Sequence, residues 1–168
     1  MYETHHDLEE LQRLLDESYA GAGTHLRSIT TPERRLDAAG VVSHTKGVRV
    51  LHLATVTARA EPRVSPVDSL FYRGHFYFGS SPESMKFRHI RQRPQVSGTV
   101  TAGEELAITV HGVAVQIDTA APDQRGLRDY IVETYGAAWW DEWGAGAPYA
   151  RIDPTKMFTY FVPPRNNA

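Results

Sequence analysis

The sequence has no cysteine. Disulfides, zinc–thiolate sites, iron–sulfur clusters and a cysteine nucleophile are therefore excluded. It also has little net charge, -2 over 168 residues, with a pI near 6.4. Nucleic-acid binders carry a basic surplus, so nucleic acid is not an expected partner. No apolar run approaches the ~20 residues that span a bilayer. The opening stretch MYETHHDLEE is acidic where a secretory leader is basic and then apolar. The expectation is a cytoplasmic protein with no membrane contact. The histidines are His5, His6, His25, His44, His52, His75, His89 and His111. None sits at a metal-ligand spacing, and no metal site is expected. Neither a GxSxG elbow nor a P-loop is present. With no triad and no paired carboxylates in view, no catalytic side chain is assigned.

What the sequence does hold is an ordinary globular balance, 41% apolar and 23% charged. Leu8, Leu11, Leu15 and Tyr19 fall at helical spacing and predict an amphipathic helix over 5–20, ended by Gly21 and Gly23. Thr31-Pro32-Glu33 has the form of a helix start and predicts a second helix over 31–45. Residues 1–46 thus form a helical extension packed on a second unit, 47–168. There the pattern changes to β-branched runs. Strands are predicted over 48–58, 62–72, 75–80, 95–101, 106–119 and 157–162. Pro62 and Pro66 place the second of these at an edge, a bulge or a mouth, because proline donates no ladder hydrogen bond. Gly112 marks a bulge in the fifth. Ser81-Pro82-Glu83-Ser84 starts a short helix ending near Gln92, and another helix covers 123–135. Five or six antiparallel strands in consecutive hairpins, without βαβ alternation, argue for a barrel.

The sharpest chemical signal is basic. Lys86, Arg88, Arg91 and Arg93 lie between Ser84 and Pro94 with no acid among them. They follow Ser80, Ser81 and a helix start, where free N–H groups attract anions. A single phosphate suits this cluster better than a duplex; the plainer alternative is a solvated basic face. On the strand before it, Arg63 and Ser65 share one side by the period-two rule. The two prolines leave backbone groups free to pair with a flat heterocycle. Trp139, Trp140 and Trp143 cluster after the last helix, for packing or for stacking on a ligand. Tyr149 and Arg151 are close enough in sequence to reach the same pocket. Asp68 is read as a turn or ion-pair residue rather than an acid catalyst.

The stretch LATVTARAEPRVSPVDSLFYRGHFYFGSSPESMKFRHIRQRPQVS resembles the core motif of the pyridoxamine 5′-phosphate oxidase-like superfamily. The elements of the resemblance are a strand carrying Ala-Thr, a turn, a proline-spaced second strand, an aromatic hairpin, then Ser and Lys on a short helix before a proline-led strand. It extends over about residues 48–117. It implies a mainly β fold with flanking helices, an antiparallel split β-barrel that binds FMN at the interface of a homodimer. By the resemblance, Arg63, Val64, Ser65 and Pro66 line the flavin ring and ribityl chain. Phe78, Gly79 and Ser80 lie beside it. Lys86 holds the phosphate with Arg63, helped by the Ser84 hydroxyl. Met85 stands where the family often has arginine. The family's C-terminal arginine and histidine motifs for a substrate phosphate are missing from WWDEWGAGAPYARIDPTKMFTYF, so pyridoxamine phosphate oxidation is not carried over. Trp139, Trp143 and Arg151 are the candidate substrate contacts. The implied function is electron or hydride transfer between FMN and a small-molecule substrate. The alternatives are reduction by the deazaflavin coenzyme F-420 in the same groove, or a flavin- or haem-binding protein without turnover.

Overall fold

The computed structural model describes residues 2–163. Alternation of apolar and polar side chains builds six strands: β1 Arg49–Val56, β2 Pro62–Tyr72, β3 His75–Gly79, β4 Gln95–Ala102, β5 Leu106–Ile117 and β6 Tyr149–Phe161. They close into an antiparallel barrel in the order β1-β2-β3-β6-β5-β4, sealed where His52 to Ala54 of β1 meet Ser97 to Thr99 of β4. With its flanking helices this is a split β-barrel. Leu51, Leu53, Phe76, Phe78, Ile108, Ile152 and Met157 fill its interior and are essentially inaccessible.

The bulge expected in β5 at Gly112 lies opposite it in β6, where Thr155 is the extra residue. The β5–β6 register shifts between His111 and Gly112. A Cβ at 112 would lie 2.2 Å from the carbonyl oxygen of Asp153, so only glycine fits this crossing.

β2 and β6, which bound the site, are each paired on one side along only part of their length. β2 pairs with β1 over Pro62–Ser69 but with β3 only from Ser69 onward. One edge of residues 62–68 therefore has no strand partner among the described residues, and both prolines sit there. β6 pairs with β3 only over Tyr149–Ile152. Beyond that point its free edge is covered by α1, His5–Ala20. The Ser18 hydroxyl accepts from the Met157 amide at 2.9 Å. The Tyr19 hydroxyl accepts from the Thr159 amide at 2.7 Å and donates to the Thr159 carbonyl at 2.8 Å. Side chains of a helix thus complete the ladder of a strand. Leu11 and Leu15 join the barrel's apolar cluster from the same helix face.

The second helix predicted over 31–45 is not continuous. Residues Thr24–Ile29 form α2, Pro32–Arg34 a single 3-10 turn, and Ala38–His44 form α3. The interruption has a tertiary cause. Arg35 is extended, and the Leu36 amide donates to the Thr159 hydroxyl at 2.9 Å, which pulls the chain onto β6. Asp37, not Thr31, caps the helix that follows, accepting from the Gly40 amide. The helix expected from residue 81 begins later, as α4, Met85–Gln92, with Ser84 at its cap position. The last strand begins at Tyr149 rather than Met157, eight residues early, so Arg151–Lys156 are strand and not approach.

Two helices join β5 to β6: α5, Arg125–Tyr135, and α6, Ala137–Glu142. α5 lays Leu127, Tyr130 and Ile131 against Leu70, Tyr77 and Tyr149 on the outside of the barrel wall, in a second apolar cluster. That contact positions the site.

Candidate functional site

On the outer face of β2, β3 and β6, alternate side chains point away from the barrel core. Gly79 pairs with Tyr149 across β3 and β6, and Asp68 lies one residue beyond the Ser69–Phe78 pair of β2 and β3. This row, Asp68–Gly79–Tyr149, is the floor of a cavity of about 540 Å³. Glycine is needed in the middle, since a Cβ at 79 would approach the Tyr149 ring to 2.9 Å. The roof comes from α5 and α6 through Ile131, Tyr135, Trp139 and Trp143. Tyr135 stacks on Trp139 at 4.4 Å between ring centres and 20°, and Trp139 meets Trp143 at 5.0 Å. Trp140 stacks on Tyr149 from behind. At the rim are Ser80, Ser81 and Lys86, with the Lys86 ammonium donating to the Ser80 hydroxyl at 3.0 Å.

All three tyrosines of the cavity, Tyr77, Tyr135 and Tyr149, have phenols raised above the ordinary value, Tyr77 chiefly by burial. Burial first, then the charge of Asp68, pushes the Tyr135 phenol up to about 12. Burial and then Tyr135 do the same for Tyr149, also to about 12. The Tyr149 hydroxyl is buried with no hydrogen-bond partner among the described residues, and so is that of Ser84. A buried polar group left unpaired costs about 1–3 kcal/mol, which makes both candidates for ligand contact.

The cavity brings together Pro66, Phe78, Gly79, Ser80, Ser81, Lys86, Trp139, Trp143 and Tyr149 of the residues singled out in the sequence. It does not include Arg63, Val64, Ser65, Ser84 or Arg151. Strand alternation accounts for the first three. Arg63 pairs with Thr55, which is buried, and Arg63 and Ser65 share the face of buried Val67. The Arg63 guanidinium meets Glu61 at 2.7 Å in an exposed pair. Val64 is on the outer face but past the cavity, 66% exposed. Ser84 lies beneath the start of α4. Arg151, one row away from Tyr149, is held by Asp153 and Tyr77. Val67, Asp68, Leu70, Tyr77, Ile131 and Tyr135 also line the cavity and carried no site assignment from sequence. Asp68 is mid-strand, not in a turn, and has no ion-pair partner among the described residues. Its place two residues after Pro66, on an outward face, was the one available signal. Among the described residues no group of three or more histidines and acids is placed to hold a metal. No described helix is long and apolar enough to cross a membrane.

Comparison with known proteins follows the same lines. The family model for pyridoxamine 5′-phosphate oxidase matches residues 41–161. No curated protein matches the chain. Among solved structures, a conserved hypothetical protein of Mycobacterium tuberculosis superposes with a TM-score of 0.64 at 16% identity, over 77% of this chain and 88% of that one. An FAD-binding protein of Mesorhizobium loti gives 0.57 at 23% identity, over 75% and 93%. An F-420 reductase gives 0.52 at 18% identity, over 68% and 93%. At these identities the structures show a shared fold.

Proposed function

The chain belongs to the pyridoxamine 5′-phosphate oxidase family, and from that premise we propose that its outer cavity holds FMN and that the protein is an oxidoreductase acting on a small substrate. One observation carries this reading. A cavity of 540 Å³, within the size range of cofactor sites, combines an ammonium and two serines at its rim with aromatic walls and an unpaired strand edge.

The residues present fit the group. Lys86 and Ser80 are already in contact and offer a cation and a hydroxyl to a phosphate. The unpartnered Ser84 hydroxyl precedes α4 and is a further donor. Arg63, the second cation that the resemblance implies, lies outside the cavity on the other face of β2 in an exposed pair with Glu61, so the fit to a phosphate rests on Lys86 and Ser80. The free backbone edge at Val64, Ser65 and Pro66 offers donors and acceptors to a flat ring, and Phe78 and Gly79 lie on the neighbouring strand. When bound, FMN supplies the electron or hydride transfer. The protein binds it, aligns the substrate against it through the α5–α6 roof, and excludes water from one face. The shared site requires a second copy of the chain. Val50 and Val64, exposed on the outer face of β1 and β2, are the apolar positions that the copy would cover.

The test is mass spectrometry of the small molecule released on denaturation, with the visible spectrum of the native protein. FMN at one per chain is the expected result. Released F-420 would replace FMN within the same site. A haem band, or failure to take up FMN, FAD or F-420 at tens of micromolar, would overturn the reading.

A further inference from the structure

The bases of α4 are divided between two sites. Lys86 lines the outer cavity, but Arg88 faces an open cleft of about 550 Å³ between α4 and the turn that joins β1 to β2. No residue lines both. Met85, Arg88, His89 and Gln92 border the cleft from α4, at the i, i+3, i+4, i+7 spacing of one helix face. Arg59 borders it from the turn. The turn is held in place. The Thr57 hydroxyl accepts from the amides of Arg59 and Glu61, both at 3.2 Å. The Arg93 guanidinium donates to the Ala58 carbonyl at 3.0 Å and pins the turn to the end of α4.

The cleft is lined chiefly by donors. Its one carboxylate, Glu61, is paired with Arg63 at 2.7 Å, so the charges of Arg59 and Arg88 are not offset within the lining. Both arginines are exposed and solvated, and lacking a partner costs them nothing. What counts is that two like charges border one concavity, where a field of one sign is focused. His89 adds a third donor. Thr55 is buried, 3% exposed, and its hydroxyl has His89 Nδ1, at 2.9 Å, as its one partner among the described residues. With neutral His89, the buried hydroxyl pairs its proton only by donating to Nδ1, which puts the ring proton on Nε2. With charged His89, both nitrogens carry protons. Nε2 is a donor in either state. It points away from Thr55, and His89 lines the cleft.

Two guanidinium forks and one ring N–H match an anion with three terminal oxygens and close to two negative charges, which is a phosphate monoester. A carboxylate, with two oxygens and one charge, leaves donors unused. Met85, 55% exposed on the same border, offers apolar surface to the carbon portion of such a ligand. We propose that this cleft binds a small phosphomonoester, with its phosphate between Arg59 and Arg88, Nε2 of His89 donating to it, and its organic part on Met85. The site is separate from the cofactor cavity and does not depend on what that cavity holds.

Isothermal titration calorimetry tests this on the full chain and on its Lys86→Ala variant, in which the cavity has lost its cation. The probes are phenyl phosphate, inorganic phosphate and benzoate, at about pH 7.5, where the phosphates are close to dianionic. In the Lys86→Ala chain, phenyl phosphate should bind at one per chain and benzoate about tenfold more weakly. Arg59→Gln and Arg88→Gln, each added to that chain, should weaken phenyl phosphate about tenfold, the low end for one charged hydrogen bond lost. Met85→Ser should weaken phenyl phosphate and leave inorganic phosphate unchanged. Thermal melts of each variant show that it is folded. Benzoate binding as tightly as phenyl phosphate, or an affinity indifferent to both arginine substitutions, overturns the proposal. So does phenyl phosphate binding that disappears with Lys86→Ala, since the phosphate then sits in the cavity and the cofactor reading gains by it. If FMN fails to bind but the Arg59- and Arg88-dependent binding persists, the cofactor reading falls and this one stands.

Discussion

Lys86 is the cation at the rim of the cavity, and its removal has a direct expected effect. Lys86→Ala should weaken FMN affinity by about 1.5–3 kcal/mol, the scale of a charged hydrogen bond, measured by flavin fluorescence titration. Arg63→Ala should leave it nearly unchanged, because Arg63 lies outside the cavity and is paired with Glu61. Unchanged affinity in Lys86→Ala would remove the phosphate assignment. Asp7 makes a different point at the same scale. Burial raises its carboxyl, but the hydrogen bonds from Thr4 and Arg73 outweigh this and hold it below the usual 3.8. A lowered folded value means that the carboxylate stabilises the fold above that pH, and that the stabilisation is lost as pH falls through the folded value. Asp7→Asn, which also weakens the capping box of α1, should therefore lower stability by about 1 kcal/mol at pH 7. The gap from wild type in urea melts should narrow as pH falls below 3.8 and close at the acid end, once pH has passed the lowered folded value. A gap that persists there would show that the charge is not the stabilising feature. The residues of the cavity differ in how visible they were beforehand. Lys86 stood out because four bases follow one another without an acid. Asp68 did not, because nothing in a sequence states which outward-facing residue a later pair of helices will roof.

At the scale of elements, the closure of β6 by α1 was the least visible part of the fold. The helix itself was plain from Leu8, Leu11, Leu15 and Tyr19. Its target lies some 140 residues away: Tyr19 meets Thr159, and Thr159 in turn breaks the expected 31–45 helix through the Leu36 amide. Local capping signals at Thr31-Pro32-Glu33 lost to that long-range contact. The start of β6 was obscured for a related reason, since Pro154 reads as a breaker but sits at the bulge opposite Gly112. The bulge itself was legible, because a lone glycine inside a long β-branched run has few other uses. Two substitutions test these contacts. Tyr19→Phe keeps the ring and strands the Thr159 amide and carbonyl, and should destabilise by about 1–3 kcal/mol. Gly112→Ala forces a methyl group into the Asp153 backbone and should cost about 2–3 kcal/mol. Both are read from urea midpoints. A wild-type midpoint in either variant would show that the contact contributes nothing.

For the whole molecule, assembly is the first expectation. Light scattering should report a dimer, and Val64→Glu together with Val50→Glu should shift it to monomer and lower flavin occupancy. A monomer that binds flavin fully would refute the shared site. The barrel class was readable from hairpin order alone. The roof was not, because whether three tryptophans pack in a core or line a cavity depends on where α6 lands, and no spacing rule sets that. The structure keeps two apolar clusters, one inside the barrel and one between α5 and the outer wall. Their separation bears on which part of the chain can be replaced. Replacing Trp139 and Trp143 changes the lining of the outer cavity and does not touch the cluster that holds Phe76. Trp139→Ala with Trp143→Ala should accordingly lower the melting temperature less than Phe76→Ala, a truncation worth about 3–5 kcal/mol. The barrel is then a fixed chassis, and the α5–α6 connection, which lines the cavity but not the barrel core, is the part that can be exchanged with least cost to folding.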